Sequence, residues 1–154
     1  MKVLERVDDE RLTKPLGPTA PPIAFHLWHM ARWADLMQAR VSAAVPQIDE
    51  RPEIWTSEQL AQAWHVEVPL GKFDSGMEMG DEASASMTFP TKRTLVDYVQ
   101  RALEAALEMY TLVSDDDAAI VVRDPYDRQA SVATMLVANL THLNRHLGMI
   151  EALA

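Results

Sequence analysis

A chain of 154 residues, 48% hydrophobic and 24% charged, has the size and balance of one globular domain that can bury a core without covalent staples. It contains no cysteine, which excludes disulfides and a thiolate nucleophile of its own and leaves His, Asp and Glu as metal ligands. A net charge of -9 and a pI near 4.9 argue against a phosphate-tracking surface, so nucleic acid is not an expected partner, and no apolar run approaches the ~18–20 residues of a membrane span.

The N-terminal MKVLERVDDERL lacks the basic and apolar regions of a secretory signal, so a cytoplasmic protein is expected. Val3, Leu4, Val7 and Leu12 support at most a short first helix. KPLGPTAPP then stops it with Pro15, Pro18, Pro21 and Pro22. From Ile23 to Val41 the residues Ile23, Leu27, Met30, Ala34, Met37 and Val41 recur at spacings of four and three, the core stripe of a long helix. A second line, Pro22, His26, His29, Trp33, Leu36 and Arg40, runs beside it, so both histidines flank the seam.

Residues 42–90 predict a helical turn at TSEQLAQAW, capped by Thr56 or Ser57, and then the irregular stretch PLGKFDSGMEMGDEASAS. A connection this long has a job in a compact domain, such as crossing the bundle end to cover a pocket. Thr91 caps a further long helix, with Leu95, Val99, Leu103, Ala106, Tyr110 and Val113 toward the core and an outer Asp97–Arg101 pair. Ser114–Asp117, SDDD, is expected to end it, because acids sit badly at the negative end of a helix dipole. Ala118–Arg123 reads as briefly extended and DPYD as a turn. The last helix follows from about Ser131, with Leu136, Leu140, Leu143, Leu147 and Ile150 as core and Val132, Met135, Asn139, His142, His146, Met149 and Leu153 beside them. These elements predict an all-α four-helix bundle in a single domain, residues 1–154.

The chemistry concentrates on His142 and His146, four residues apart and therefore on one helix face. Buried separately, each ring would need its own partner or bear a desolvation cost of about 1–3 kcal/mol, and a shared metal ion removes both problems. A third ligand is needed. His29 can supply it, and so can His26 one turn earlier. His65 is expected at the surface, and Asp35 is expected to face solvent. Leu143 stands where a zinc protease of the HExxH type needs its glutamate, so peptidase chemistry has no support. Trp28, Trp33, Trp55 and Trp64 read mainly as core. Trp33 and Asn139, on the two histidine-bearing faces, are the candidates for binding a cofactor or substrate. No side chain stands out as a catalytic acid or base.

Two stretches taken together, IAFHLWHMARWAD (Ile23–Asp35) and THLNRHLGMIEAL (Thr141–Leu153), resemble the DinB-like superfamily of metal-binding four-helix bundles. FDSGMEMGDEAS and YDRQASVATMLV resemble the same branch, so the likeness covers most of the chain. The resemblance implies a divalent-metal site at His29, His142 and His146, favours His29 over His26, and points to zinc or nickel. It also implies a transferase or isomerase that uses a low-molecular-weight thiol, such as mycothiol or bacillithiol, with a small-molecule electrophile. Metal-assisted hydrolysis would need the same ligands. Relatives carry a full first helix where this chain has about a dozen residues, so an apolar groove is left to cover and a homodimer is expected. The competing expectation is a non-catalytic, metal-stabilised binding or stress-response module. It would be marked by a fourth protein ligand, His26 or Asp35, closing the site.

Overall fold

The computed structural model describes residues 2–154, with side chains from residue 4 onward, so the expected contribution of the Val3 side chain lies outside the described residues. A 3-10 turn, Lys2–Arg6, leads into helix α1, Asp9–Thr13, capped by Asp8, which accepts from the Arg11 amide at 2.8 Å. This first helix is short, as expected. Leu4, Val7 and Leu12 are buried, and Lys92 Nζ ties the segment down by donating to the carbonyls of Leu4 and Val7, each at 2.6 Å.

Helix α2 spans Ile23–Ala44. The connection after it carries only one- or two-turn helices, α3 (Ile54–Ser57), α4 (Leu60–Ala63) and α5 (Asp81–Ser86), before α6 (Lys92–Leu112). Then come α7 (Asp115–Ala118), a hairpin of β1 (Val121–Arg123) and β2 (Gln129–Ser131), and α8 (Val132–Leu153). The hairpin pairs Val121 with Ser131 and Arg123 with Gln129, closing on the expected DPYD turn. Thr91 and Ser131 cap α6 and α8 by accepting from the amides of Thr94 and Thr134.

Both lines of α2 are interior apart from the half-buried Arg40, and the helix is buried nearly all round, which places it at the centre of the packing. It packs on α6 and on α8. Its first half shares a core with Leu95, Val99 and Ala102 of α6 and Ile150 of α8; its second half meets Met109 of α6 and Val132 and Met135 of α8. Thus α6 runs parallel to α2, and α8 antiparallel. Parallel neighbours cannot be joined by a tight turn, because the chain must return along the whole 22-residue helix, ~33 Å at about 1.5 Å per residue. Residues 45–91 make that return, which is why the crossover is long. Among the described residues no helix is long and apolar enough to cross a membrane.

Three local expectations are corrected. Thr56 and Ser57 lie inside α3, and α4 starts instead after Gln59, whose φ of 52° breaks the run. Ser114–Asp117 does not merely end α6: Ser114 opens α7 with a reciprocal capping box to Asp117, so the acids occupy a helix start, where the dipole favours them. The α8 seam is also rotated. Val132, Met135, Asn139, His146 and Ile150 are buried, Leu136, Leu143 and Leu147 are half-buried, and Leu140 is 57% exposed. The helix is apolar on two flanks, and the flank that meets α2 is the one bearing the polar side chains.

Candidate metal centre

His29 lies in the first half of α2, and the antiparallel α8 brings His142 and His146 opposite it. Each of the three offers one ring nitrogen, and these atoms lie within 4.8 Å of one another. Ring centroids are 4.8 Å apart for His29–His142, 4.6 Å for His29–His146 and 4.5 Å for His142–His146. The three-histidine cluster can hold a metal ion.

The hydrogen bonds around the rings decide which nitrogens remain free. His29 Nδ1 faces the carbonyl of Ser75 and must be its donor, so the His29 lone pair is on Nε2. His146 Nδ1 lies 3.2 Å from His26 Nδ1. With His146 as donor, its Nε2 is likewise free, and His26 accepts the hydrogen bond. His142 Nε2 is buried with no hydrogen-bond partner among the described residues. A buried ring nitrogen with no protein partner fits a cation when it is the unprotonated one. Burial, reinforced by the neighbouring imidazoles, lowers His29 and His142 to about 4 and His146 to about 3. All three are neutral at physiological pH, the form that ligation requires.

Ser75 belongs to a turn of the crossover that the sequence left unassigned. Phe73, Asp74 and Gly76 have φ of 57°, 48° and 84°, and the turn is closed by Lys72 N donating to Met77 O at 2.8 Å. Gly76 cannot be replaced cheaply, because a Cβ there would stand 2.6 Å from His29 Nδ1 and 3.0 Å from the Trp28 ring. The turn is held by Arg32, one helical turn beyond His29. Its Nε donates to Asp74 O at 2.8 Å and its Nη2 to Phe73 O at 3.1 Å. The same guanidinium reaches Glu53 at 2.6 Å, Asp35 at 3.1 Å and the Tyr98 hydroxyl at 3.4 Å, so every N–H is used.

Asp35 does not face solvent, correcting the expectation. It is fully buried and accepts from the amides of Ile54 and Trp55, each at 2.9 Å, and from Tyr98 Oη at 3.1 Å and Gln38 at 3.3 Å. Its carboxylate is committed there. A charged pair at i, i+3 inside an otherwise apolar helix was the available signal for this network; nothing in the sequence pointed to the Ser75 carbonyl.

Trp33 is buried, its ring centroid 4.6 Å from that of His142, and its Nε1 has no partner. Asn139 is buried on α8 and donates from Nδ2 to the Tyr110 hydroxyl. Trp28, Trp55 and Trp64 pack with Tyr98 in the core, and His65 is exposed. A pocket of about 290 Å³ opens beside the cluster at Trp33, Tyr126, Thr141, His142 and Arg145. A wider depression, about 710 Å³, lies at the start of α6 and is lined by none of the histidines.

The fold is that of a crystal structure of a conserved protein from Enterococcus faecalis, matched with a TM-score of 0.81 over 99% of this chain and 84% of that one at 16% identity. No curated protein matches the sequence. The sequence profile of the DinB superfamily matches residues 1–150. With a helical bundle of that type and three histidines converging from its central and last helices, the chain belongs to the DinB superfamily.

Proposed function

We propose that this protein is a metal-dependent enzyme, a thiol-dependent S-transferase, in which His29, His142 and His146 hold one divalent ion, zinc or nickel. The observation that carries this reading is the His142 ring, whose buried Nε2 has no protein partner while two more neutral imidazoles converge beside it. Three nitrogen donors suit zinc or nickel better than calcium or magnesium, which take oxygen ligands. When bound, such an ion supplies the positive charge that keeps a cosubstrate thiol deprotonated at neutral pH.

The chain's own residues do the remaining work. Ser75 and His26 orient the rings of His29 and His146. Trp33 and Asn139 bind the low-molecular-weight thiol, and the pocket at Thr141 and Arg145 admits a small electrophile. Transfer joins the thiol sulfur to an electrophilic carbon, with loss of the thiol proton and of the electrophile's leaving group. A purely structural metal would call for a fourth protein ligand, but the Asp35 oxygens are engaged elsewhere and His26 is bonded to His146.

The protein acts in the cytoplasm as a single domain over residues 1–154, paired as a homodimer. Support for the dimer comes from α8, which carries no Lys, Arg, Asp or Glu from Val132 to Asn144 although Val137 is 64% and Leu140 57% exposed, and from α6, where Leu107 is 63% exposed. The test is metal analysis of protein purified without nickel resin or chelator, then a screen of electrophiles with low-molecular-weight thiols. We expect about one ion per chain and thiol-dependent turnover that His29→Ala, His142→Ala and His146→Ala each abolish. Folded wild-type protein that takes up no metal would overturn the proposal.

A further inference from the structure

The pocket of about 290 Å³ beside the histidine cluster has two aromatic residues, Trp33 and Tyr126, in its wall and no carboxylate among the described residues. Its cationic residue is Arg145, an exposed side chain three positions after His142 and one before His146 on α8. Burial, the neighbouring imidazoles and then the charge of Arg145 lower His142 and His146, so the guanidinium lies within Coulomb reach of both rings. Among the described residues Arg145 makes neither an ion pair nor a hydrogen bond with another side chain. The acids on either side of Tyr126 are already taken, Asp124 by Arg128 at 2.7 Å and Asp127 by Lys72 at 3.3 Å.

The pocket wall is therefore positive in a chain whose net charge is -9. A cation there repels any divalent ion held by the three histidines, and a ligand of negative charge in the pocket offsets both. A cationic ligand would meet repulsion from Arg145, and a neutral one would leave its charge unanswered. Among anions a carboxylate matches the planar guanidinium best, because its two oxygens accept from two parallel N–H groups. The aromatic residues Trp33 and Tyr126 offer apolar surface to the body of the same molecule.

We infer that the electrophile admitted by this pocket carries a carboxylate, and that Arg145 is the residue that selects it. The reaction rests on the function proposed above, whereas carboxylate binding at Arg145 does not require the metal.

The first arm of the test titrates the metal-free protein with benzoate and with benzamide, which keeps the ring and removes the charge. The readout is the backbone ¹H–¹⁵N signals of Thr141, His142 and Arg145. Benzoate is expected to shift them saturably and to bind about tenfold more tightly than benzamide. Arg145→Gln should abolish that preference and Arg145→Lys should keep part of it, and at an exposed position neither change disturbs the core. The second arm uses the zinc-loaded protein with N-acetylcysteamine and either 4-(chloromethyl)benzoate or 4-(chloromethyl)benzamide. The thiol sulfur bonds to the benzylic carbon, the C–Cl bond breaks, and chloride and the thiol proton are released. Arg145→Gln should lower the ratio of kcat/KM for the acid to that for the amide about tenfold, through KM. No saturable benzoate shift, equal binding of benzamide, or a preference that survives Arg145→Gln in either arm would overturn the inference. Because the first arm is read without metal, a protein that takes up no zinc or shows no turnover overturns the S-transferase reading and leaves this outcome separate.

Discussion

Helix α2 carries two buried polar clusters about one turn apart, and they differ in how completely their hydrogen bonds close. Around Arg32 and Asp35, every guanidinium N–H has an acceptor and the carboxylate accepts from two backbone amides, a phenol, an amide side chain and Arg32 itself. Around His29 the polar groups stop short: His142 Nε2 has no partner among the described residues, and one ring nitrogen from each of the three histidines lies within 4.8 Å of the others. A closed network rigidifies the fold, whereas an open one at similar burial is a standing cost unless something else completes it. The first cluster is therefore read as architecture and the second as a site. Arg32 links them by holding the turn whose Ser75 carbonyl orients His29.

Variants that break one cluster and spare the other separate these roles. The largest effect is expected for Asp35→Ala, which strands the Arg32 guanidinium in the core and should cost about 3–5 kcal/mol in urea unfolding, with or without metal. Next comes His142→Ala. It removes an unpaired buried nitrogen, so the metal-free protein should stay folded, but it should lose the roughly 2.7 kcal/mol that zinc at a hundredfold excess over Kd adds to the wild type. Gly76→Ala should also weaken zinc affinity, through displacement of His29, but unlike His142→Ala it should lower the stability of the metal-free protein as well, because its φ of 84° and the nearby Trp28 ring disfavour a Cβ.

Acid gives a graded version of the same contrast. The three histidines titrate at about 4, 4 and 3 when folded, against 6.5 ordinarily, so below 6.5 the unfolded chain binds protons that the folded one refuses. Their contribution to stability is thus complete above 6.5 and lost as pH falls toward 4. The urea midpoint of the metal-free protein should fall between about pH 7 and pH 5. The smallest effect on the fold is expected for Leu140→Glu. At a 57% exposed position it should change subunit stability by less than about 0.5 kcal/mol, yet it should prevent the dimer proposed above, so that light scattering returns dimer for the wild type and monomer for the variant.

What the sequence discloses follows from periodicity and ends where periodicity is ambiguous. The three long helices, the Thr91 cap, the start of the last helix near Ser131 and the short first element were legible from apolar spacing and capping residues. The pairing of His142 and His146 was legible because i, i+4 geometry leaves a helical pair little choice, whereas spacing left His29 and His26 open and only the DinB-like resemblance favoured His29. The orientation of α8 was not: Leu136, Leu140, Leu143 and Leu147 offer the more hydrophobic flank, but α2 presents histidines and Trp33 to the other one. Asp35 was misjudged because a lone carboxylate reads as solvent-facing unless its partners, here on α3, α6 and the Phe73–Gly76 turn through Arg32, are known. Ser75 was out of reach for the same reason, since its backbone carbonyl meets His29 only once a long connection has folded back.

Anomalous diffraction at the zinc edge, on crystals of the zinc-loaded protein, tests the reading of the open cluster most directly. The account predicts one peak between the Nε2 atoms of His29, His142 and His146, with Asp35 remote from it and still bonded to Ile54 and Trp55. Crystals grown with zinc that show no peak there, with each imidazole bonded instead to protein or water, would contradict it.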